Sequence, residues 1–156
     1  MVRAIALMLV ILVAGALGTF WFVCPCEQMP GGPLQGERIR TQVSNWSFAN
    51  EPGLCQVQVD RGIAWSVNLN CMSVDNALYI SCARCEGKGW STAALDNPEG
   101  YIRIRQTVYP VTFQRLVDSD ELDAAWRARL QKLDADVSTP RPAHWWSFRL
   151  ASRPLT

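Results

Sequence analysis

The 156 residues, 49% of them hydrophobic and 19% charged, suffice for one domain of ordinary size and are too few for two. Fifteen Lys and Arg against fourteen Asp and Glu leave a net charge of +1, so no basic field is present to draw in phosphate backbones, which argues against a general nucleic-acid binder. Seven Trp, five Phe and three Tyr carry more burial than a disordered chain does.

From Ala4 to Val23 the chain runs 20 residues without a charge. As a helix at about 1.5 Å per residue, that length spans about 30 Å, the thickness of a bilayer core. Ala14-Gly15-Ala16 resembles a small-residue cleavage site behind an apolar run, so a signal peptide is the competing reading. Phe20, Trp21 and Phe22 carry the run past that site and put aromatic rings where a span meets the headgroups, which favours an anchor. Arg3 and the amino terminus are positive, while residues 24–33 hold Glu27 and no base. The positive-inside rule then leaves the amino terminus in the cytoplasm and the globular part on the non-cytoplasmic side, periplasmic or extracellular. The expected organisation is a transmembrane anchor or uncleaved signal over 1–23, a Gly/Pro-rich linker over 24–41, a globular domain over 42–150 and a tail over 151–156.

Six cysteines, at 24, 26, 55, 71, 82 and 85, suit an oxidising compartment. Cys82-Ala83-Arg84-Cys85 is followed by Glu86 and so is no haem attachment motif. Three readings stay open for it: a structural disulfide, a redox pair, or half of a four-sulfur zinc site completed by Cys24 and Cys26.

Pro30-Gly31-Gly32-Pro33 cannot hold a helix and reads as a spacer. Beyond it the pattern turns to period two. Leu54 to Val59 reads as a short strand closed by Asp60-Arg61-Gly62. Trp65, Val67, Leu69 and Cys71 then alternate with Ser66, Asn68 and Asn70 as a half-buried strand. Asp75-Asn76 joins it to a strand from Ala77 to Cys82 as a hairpin. A second hairpin is expected over Tyr101 to Phe113 with its turn at Gln106-Thr107, and Trp146, Phe148 and Leu150 suggest a last strand in which Trp145 and Trp146 point to opposite sides.

Two helices interrupt this sheet. One runs from Trp90 to Asp96, stopped by Asn97-Pro98. The other starts at Asp118, three residues before Glu121 in the manner of a capping box, and repeats Leu122, Trp126, Leu130 and Leu133 at helical spacing. The fold class is therefore mainly β with two helices (α+β), a small barrel or sandwich behind one transmembrane helix. Trp46, Trp65 and Trp126 read as core.

The strand Trp65-Ser66-Val67-Asn68-Leu69-Asn70-Cys71, the strand Ala77-Leu78-Tyr79-Ile80-Ser81, the stretch Lys88-Gly89-Trp90 to Asn97-Pro98 and the start Tyr101-Ile102-Arg103-Ile104 together resemble the split-barrel superfamily of pyridoxamine-phosphate oxidase. The likeness is closest to its deazaflavin-dependent nitroreductase-like branch and covers roughly residues 42–150. It implies a six-stranded split β-barrel that commonly forms a homodimer, with FMN or a deazaflavin coenzyme at the barrel edge. By the same resemblance Lys88 holds the cofactor phosphate together with Gly89 and the first turn at Trp90, where helix N–H groups and the dipole favour an anion. The oxidases have two basic residues side by side here, whereas this chain has Gly87 before Lys88.

Ser66, Asn68 and Asn70 share a strand face suited to hydrogen-bonding a flavin edge, or to facing solvent, and Trp90 is placed to stack on a ring. Arg103 and Arg105 share a strand face and could bind an anion, although exposed strand arginines are ordinary and also discourage edge-to-edge pairing. His144 is the only histidine and no Gly-x-Ser-x-Gly elbow accompanies it, so it reads as a packed or surface imidazole. The leading expectation is a membrane-anchored flavin- or deazaflavin-binding oxidoreductase on a small molecule, with no catalytic acid or base identified. The alternatives are a cofactor-free membrane-tethered interaction module of the envelope, and a thiol-disulfide protein using Cys82 and Cys85.

Overall fold

Apolar side chains at every second position need a surface to bury against, and in this chain the sheet provides it by closing on itself. The computed structural model describes residues 2–22 and 30–154, with the side chains at 20–22 left out of that description. Its elements are α1 (Val2–Phe22), β1 (Glu37–Arg38), β2 (Cys55–Asp60), β3 (Ala64–Val74), β4 (Ala77–Ala83), α2 (Gly89–Asp96), β5 (Glu99–Ile104), β6 (Thr107–Arg115), α3 (Ser119–Lys132) and β7 (Trp145–Ser152). A 3-10 turn at Ser47–Asn50 precedes β2.

The strands follow the order β6-β5-β2-β3-β4-β7, and β7 pairs back onto β6, so six antiparallel strands form a barrel. The two-residue β1 lies parallel to β6 outside it. Val57, Val59, Leu69, Ile80, Ile102, Ile104, Val111, Phe113, Phe148 and Leu150 fill the interior, and α2 adds Trp90, Ala93 and Ala94. Opposite parity points outward: Met72, Tyr79 and Trp145 form a second core with Ala125, Trp126 and Leu130 of α3. The adjacent tryptophans 145 and 146 divide between these two cores as a strand requires.

Local signals account for most element ends. Asp75 and Asn76 both take left-handed φ values, 48° and 67°, in the tight turn of the β3–β4 hairpin. Asp118 accepts the N–H of Glu121 at 2.9 Å and caps α3. The β5–β6 turn is Arg105-Gln106, one residue earlier than the pattern suggests, because Ile104 pairs with Thr107 and Arg105 takes φ 57°. Arg105 therefore leaves the face it was expected to share with Arg103, and it pairs with Glu51. The α3 stripe ends at Leu130, and Leu133, at the C-cap, is 46% exposed. Trp65 is only half-buried, its ring covered by the Arg61 guanidinium 4.7 Å away. His144 is an exposed turn residue.

The stretch expected to be a spacer is laid on the barrel from Pro30 onward. Gly31 and Ser66 exchange backbone hydrogen bonds at 2.9 and 2.8 Å, and the Leu34 N–H reaches Gln58 Oε1 at 2.8 Å. Leu34 is 2% exposed, and Arg103 donates to the Gln35 carbonyl at 2.9 Å. This strap buries an apolar side chain and pairs its own backbone, which a free linker would leave to water. Residues 23–29, and with them Cys24, Cys26 and Glu27, lie outside the described residues. The α1 window Val2–Thr19 is long and apolar enough to cross a membrane and none of it is buried.

Two disulfides join the four described cysteines, Cys55 to Cys71 across β2 and β3, and Cys82 to Cys85. The Cys82–Cys85 bond uses both sulfurs that the zinc reading required. Lys132 at the end of α3 donates to the carbonyls of Ala49 and Cys71. Its amine sits beside a cleft of about 240 Å³ lined by Asn50, Ser73, Ala128 and Gln131, and burial lowers its pKa from 10.5 to about 8.

Two outcomes follow from this packing. A methyl group on Gly100 would strike the Gln58 carbonyl and the Phe113 ring, so Gly100→Ala should lower stability by about 1–3 kcal/mol in a urea titration. Between about pH 8 and 10.5 the unfolded chain binds more protons at Lys132 than the folded one, so this residue makes stability rise with pH across that window. The difference in unfolding midpoint between wild type and Lys132→Met should widen in favour of wild type from pH 8 to 10.5, and a constant difference contradicts the assignment.

Candidate functional site

The pleat of β3 sends Ser66, Asn68, Asn70 and Met72 to the outer face. The strap covers one end of this row, where the Ser66 hydroxyl donates to the Gly32 carbonyl at 2.7 Å, and Met72 at the other end lies under α3. Asn68 and Asn70 remain between them, half-buried. The register places Gln56 of β2 opposite Asn68 and Ser81 of β4 opposite Asn70, and Ser147 of β7 opposite Ser81. A polar band therefore crosses the outside of the barrel. Ser147 donates to the Ile80 carbonyl at 3.0 Å, whereas Ser81 is 2% exposed and its Oγ has no hydrogen-bond partner among the described residues. A buried hydroxyl in that state costs about 1–3 kcal/mol unless something outside the chain bonds it.

Beyond the end of β4 lies α2. Lys88 is its N-cap and supplies no side-chain cap, the first turn holds no acidic residue, and the Lys88 amine donates to the Ala83 carbonyl at 3.3 Å. A second cation approaches from the β2–β3 turn: a methyl built on Gly89 would stand 2.7 Å from Arg61 Cζ, so the guanidinium lies directly against this glycine. Neither Arg61 nor Lys88 forms an ion pair among the described residues. Arg61 thus lies against the first residue of α2 and Lys88 is its N-cap, both at the positive end of the helix dipole, where an anion would be favoured.

Of the residues expected from sequence to form the site, Lys88, Gly89, Asn68 and Asn70 border this region. Ser66 does not: its hydroxyl and backbone are spent on the strap. Trp90 does not offer its ring either. It is 5% exposed and packs on Phe148 inside the barrel at a centroid distance of 5.4 Å, because the first inward position of α2 plugs the core. Its backbone N–H remains in the first turn. Arg61 and Ser81 were not read as site residues. Arg61 lies 27 positions from Lys88 in sequence, and Ser81 is one member of an ordinary alternating strand. The Cys82–Cys85 loop leads directly into Lys88. A larger cleft of about 360 Å³, lined by Gln58, Asp60, Ile63, Asn97, Tyr101 and Arg153, lies at the β2–β3 turn.

No family model and no curated protein matches the sequence. Solved structures do match. A protein from Listeria innocua, provisionally assigned as a pyridoxamine 5'-phosphate oxidase, aligns with a TM-score of 0.55 at 8% identity, over 67% of this chain and 87% of that one. One from Bacteroides thetaiotaomicron, provisionally assigned as a 5-nitroimidazole antibiotic resistance protein, aligns with a TM-score of 0.55 at 12% identity, over 68% and 76%. The strand order, the closure by β7 and these alignments agree: the chain has the split β-barrel fold of the pyridoxamine-phosphate-oxidase-like proteins.

Proposed function

We propose that the protein is a membrane-anchored split barrel that binds a phosphate-bearing flavin, FMN or a deazaflavin coenzyme, on the outer face of β3 and β4 and acts as an oxidoreductase on a small molecule. The observation that carries the reading is the Arg61 guanidinium lying against Gly89 next to the N-cap residue Lys88, at a first turn of α2 without acidic residues. The partnerless Ser81 hydroxyl nearby gives it independent support. Lys88, Arg61 and the N–H groups of Gly89 and Trp90 hold the phosphate, and Asn68, Asn70 and Ser81 hydrogen-bond the ring edge. The bound cofactor supplies hydride chemistry, and the chain supplies anchoring, orientation and exclusion of water.

A second copy of the chain covers the polar band in this reading, which predicts a homodimer in sedimentation. The anchor holds the barrel on the non-cytoplasmic side. Protease added outside intact cells or spheroplasts should therefore reach the barrel, and protection until lysis would reverse that placement.

One observation favours a different reading. Ser66 and Trp90 are both consumed by internal packing, as in a barrel that works without cofactor as a tethered interaction module. Titration of the purified full chain with FMN and with a deazaflavin coenzyme separates the two. We expect saturable binding of one of them, weakened roughly tenfold or more by Lys88→Ala and by Arg61→Ala, the loss of one charge-assisted contact each. Absence of saturable binding for both cofactors sinks the enzymatic reading and leaves the module.

A further inference from the structure

The link that carries Lys88 has no strand partner. β4 ends at Ala83 and α2 begins at Gly89, and between them Arg84 and Gly87 take left-handed backbone at φ 54° and 72°. Position in this link comes from the Cys82–Cys85 bond and from the carbonyls beside it. Ala83 O accepts the Lys88 amine at 3.3 Å, Cys85 O accepts the Lys88 N–H at 3.1 Å, and the Ser91 hydroxyl donates to the carbonyls of Cys85 and Lys88. The amine, the amide and the first turn of α2 are thus all fastened to the loop that the disulfide closes.

The two disulfides differ in access. Cys55 and Cys71 are both buried in the barrel wall, and Cys85 is 0% exposed, but Cys82 is only half-buried. Thiol-disulfide exchange needs a thiolate to reach a sulfur, and of these four residues Cys82 alone is not fully buried.

We propose that Cys82–Cys85 is a thiol-exchange site that sets the position of Lys88 and of the first turn of α2, so that its reduction by a small thiol or dithiol loosens the anion cradle. The ligand half of this statement rests on the function proposed above, and the loop half does not. The external thiolate bonds to Cys82 Sγ, the Cys82–Cys85 bond breaks, and its electron pair leaves on the Cys85 sulfur, which takes a proton. A second external thiol attacks the mixed disulfide, freeing Cys82 as a thiol and departing as the oxidised disulfide. Two electrons and two protons pass to the protein.

The test compares the full chain before and after dithiothreitol, with alkylation and mass mapping, amide hydrogen exchange and titration with FMN and with a deazaflavin coenzyme. Alkylation should reach Cys82 and Cys85 while Cys55 and Cys71 stay paired. Amides over 88–92 should then exchange about tenfold faster, a local opening that leaves the barrel strands unchanged. A Cys82→Ser, Cys85→Ser double variant should show the fast exchange without reductant and no response to it, and reduced wild type serves in its place where that variant fails to fold. Affinity for whichever of the two binds should fall several-fold on reduction. Unchanged exchange over 88–92, or earlier reduction of Cys55–Cys71, overturns the proposal. A chain that binds neither FMN nor a deazaflavin coenzyme in either state removes the function proposed above, while the exchange measurement still decides the role of the disulfide.

Discussion

Everything in this molecule depends on β7 pairing with β4 along one side and with β6 along the other. That double pairing closes the sheet, removes its open edges and creates an interior that neither hairpin has alone. Closure also fixes parity around the barrel: once Phe148 and Leu150 point inward, Trp145 and Ser147 must point outward. A slip of one residue would bury Arg149 and expose Phe148. The interior is filled from one end by Trp90, so α2 is held in place by the core it plugs.

The same plug generates the electrostatic feature of the site. With Trp90 inward, the start of α2 faces the β2–β3 turn, and Arg61 settles against Gly89 beside Lys88. Cations at the positive end of a helix gain nothing from its dipole. Arg61 recovers part of that loss by lying over the Trp65 ring. The polar band outside β3 and β4 meets this corner, so an anionic group and a hydrogen-bonding ring could be held in one ligand by residues from the β2–β3 turn, β3, β4 and α2. The near-neutral net charge offers no general field, so any anion held at this corner would have to be held by local contacts.

The strap explains how the apolar leader relates to the domain. From Pro30 the chain lies on the barrel, and residues 30–38 cross from β3 over β2 and β5 to β6. Gly31 and Gly32 hydrogen-bond through their backbones to Ser66, and at Gly36 a side chain would strike the Gln106 carbonyl, so glycine there permits close approach. Residues 30–38 are therefore part of the packed domain and not a free spacer.

The elements were legible because they depend on near neighbours in sequence. Period-two alternation marked the strands, Asp75-Asn76 the hairpin, Asp118 with Glu121 the start of α3, and Asn97-Pro98 the stop of α2. The place of Lys88 at the start of α2 was legible for the same reason, since a helix start is a local event. Burial of Ser66 under residues 31–32, the inward turn of Trp90, the arrival of Arg61 at Gly89, the orphaned Ser81 hydroxyl and the pairing of Cys55 with Cys71 were not. Sequence by itself determined the strand and helix content, the apolar leader and the lone cation at the start of α2. Only the tertiary structure decided which alternating faces meet and what that cation stands beside, because those contacts join distant segments that barrel closure alone brings together.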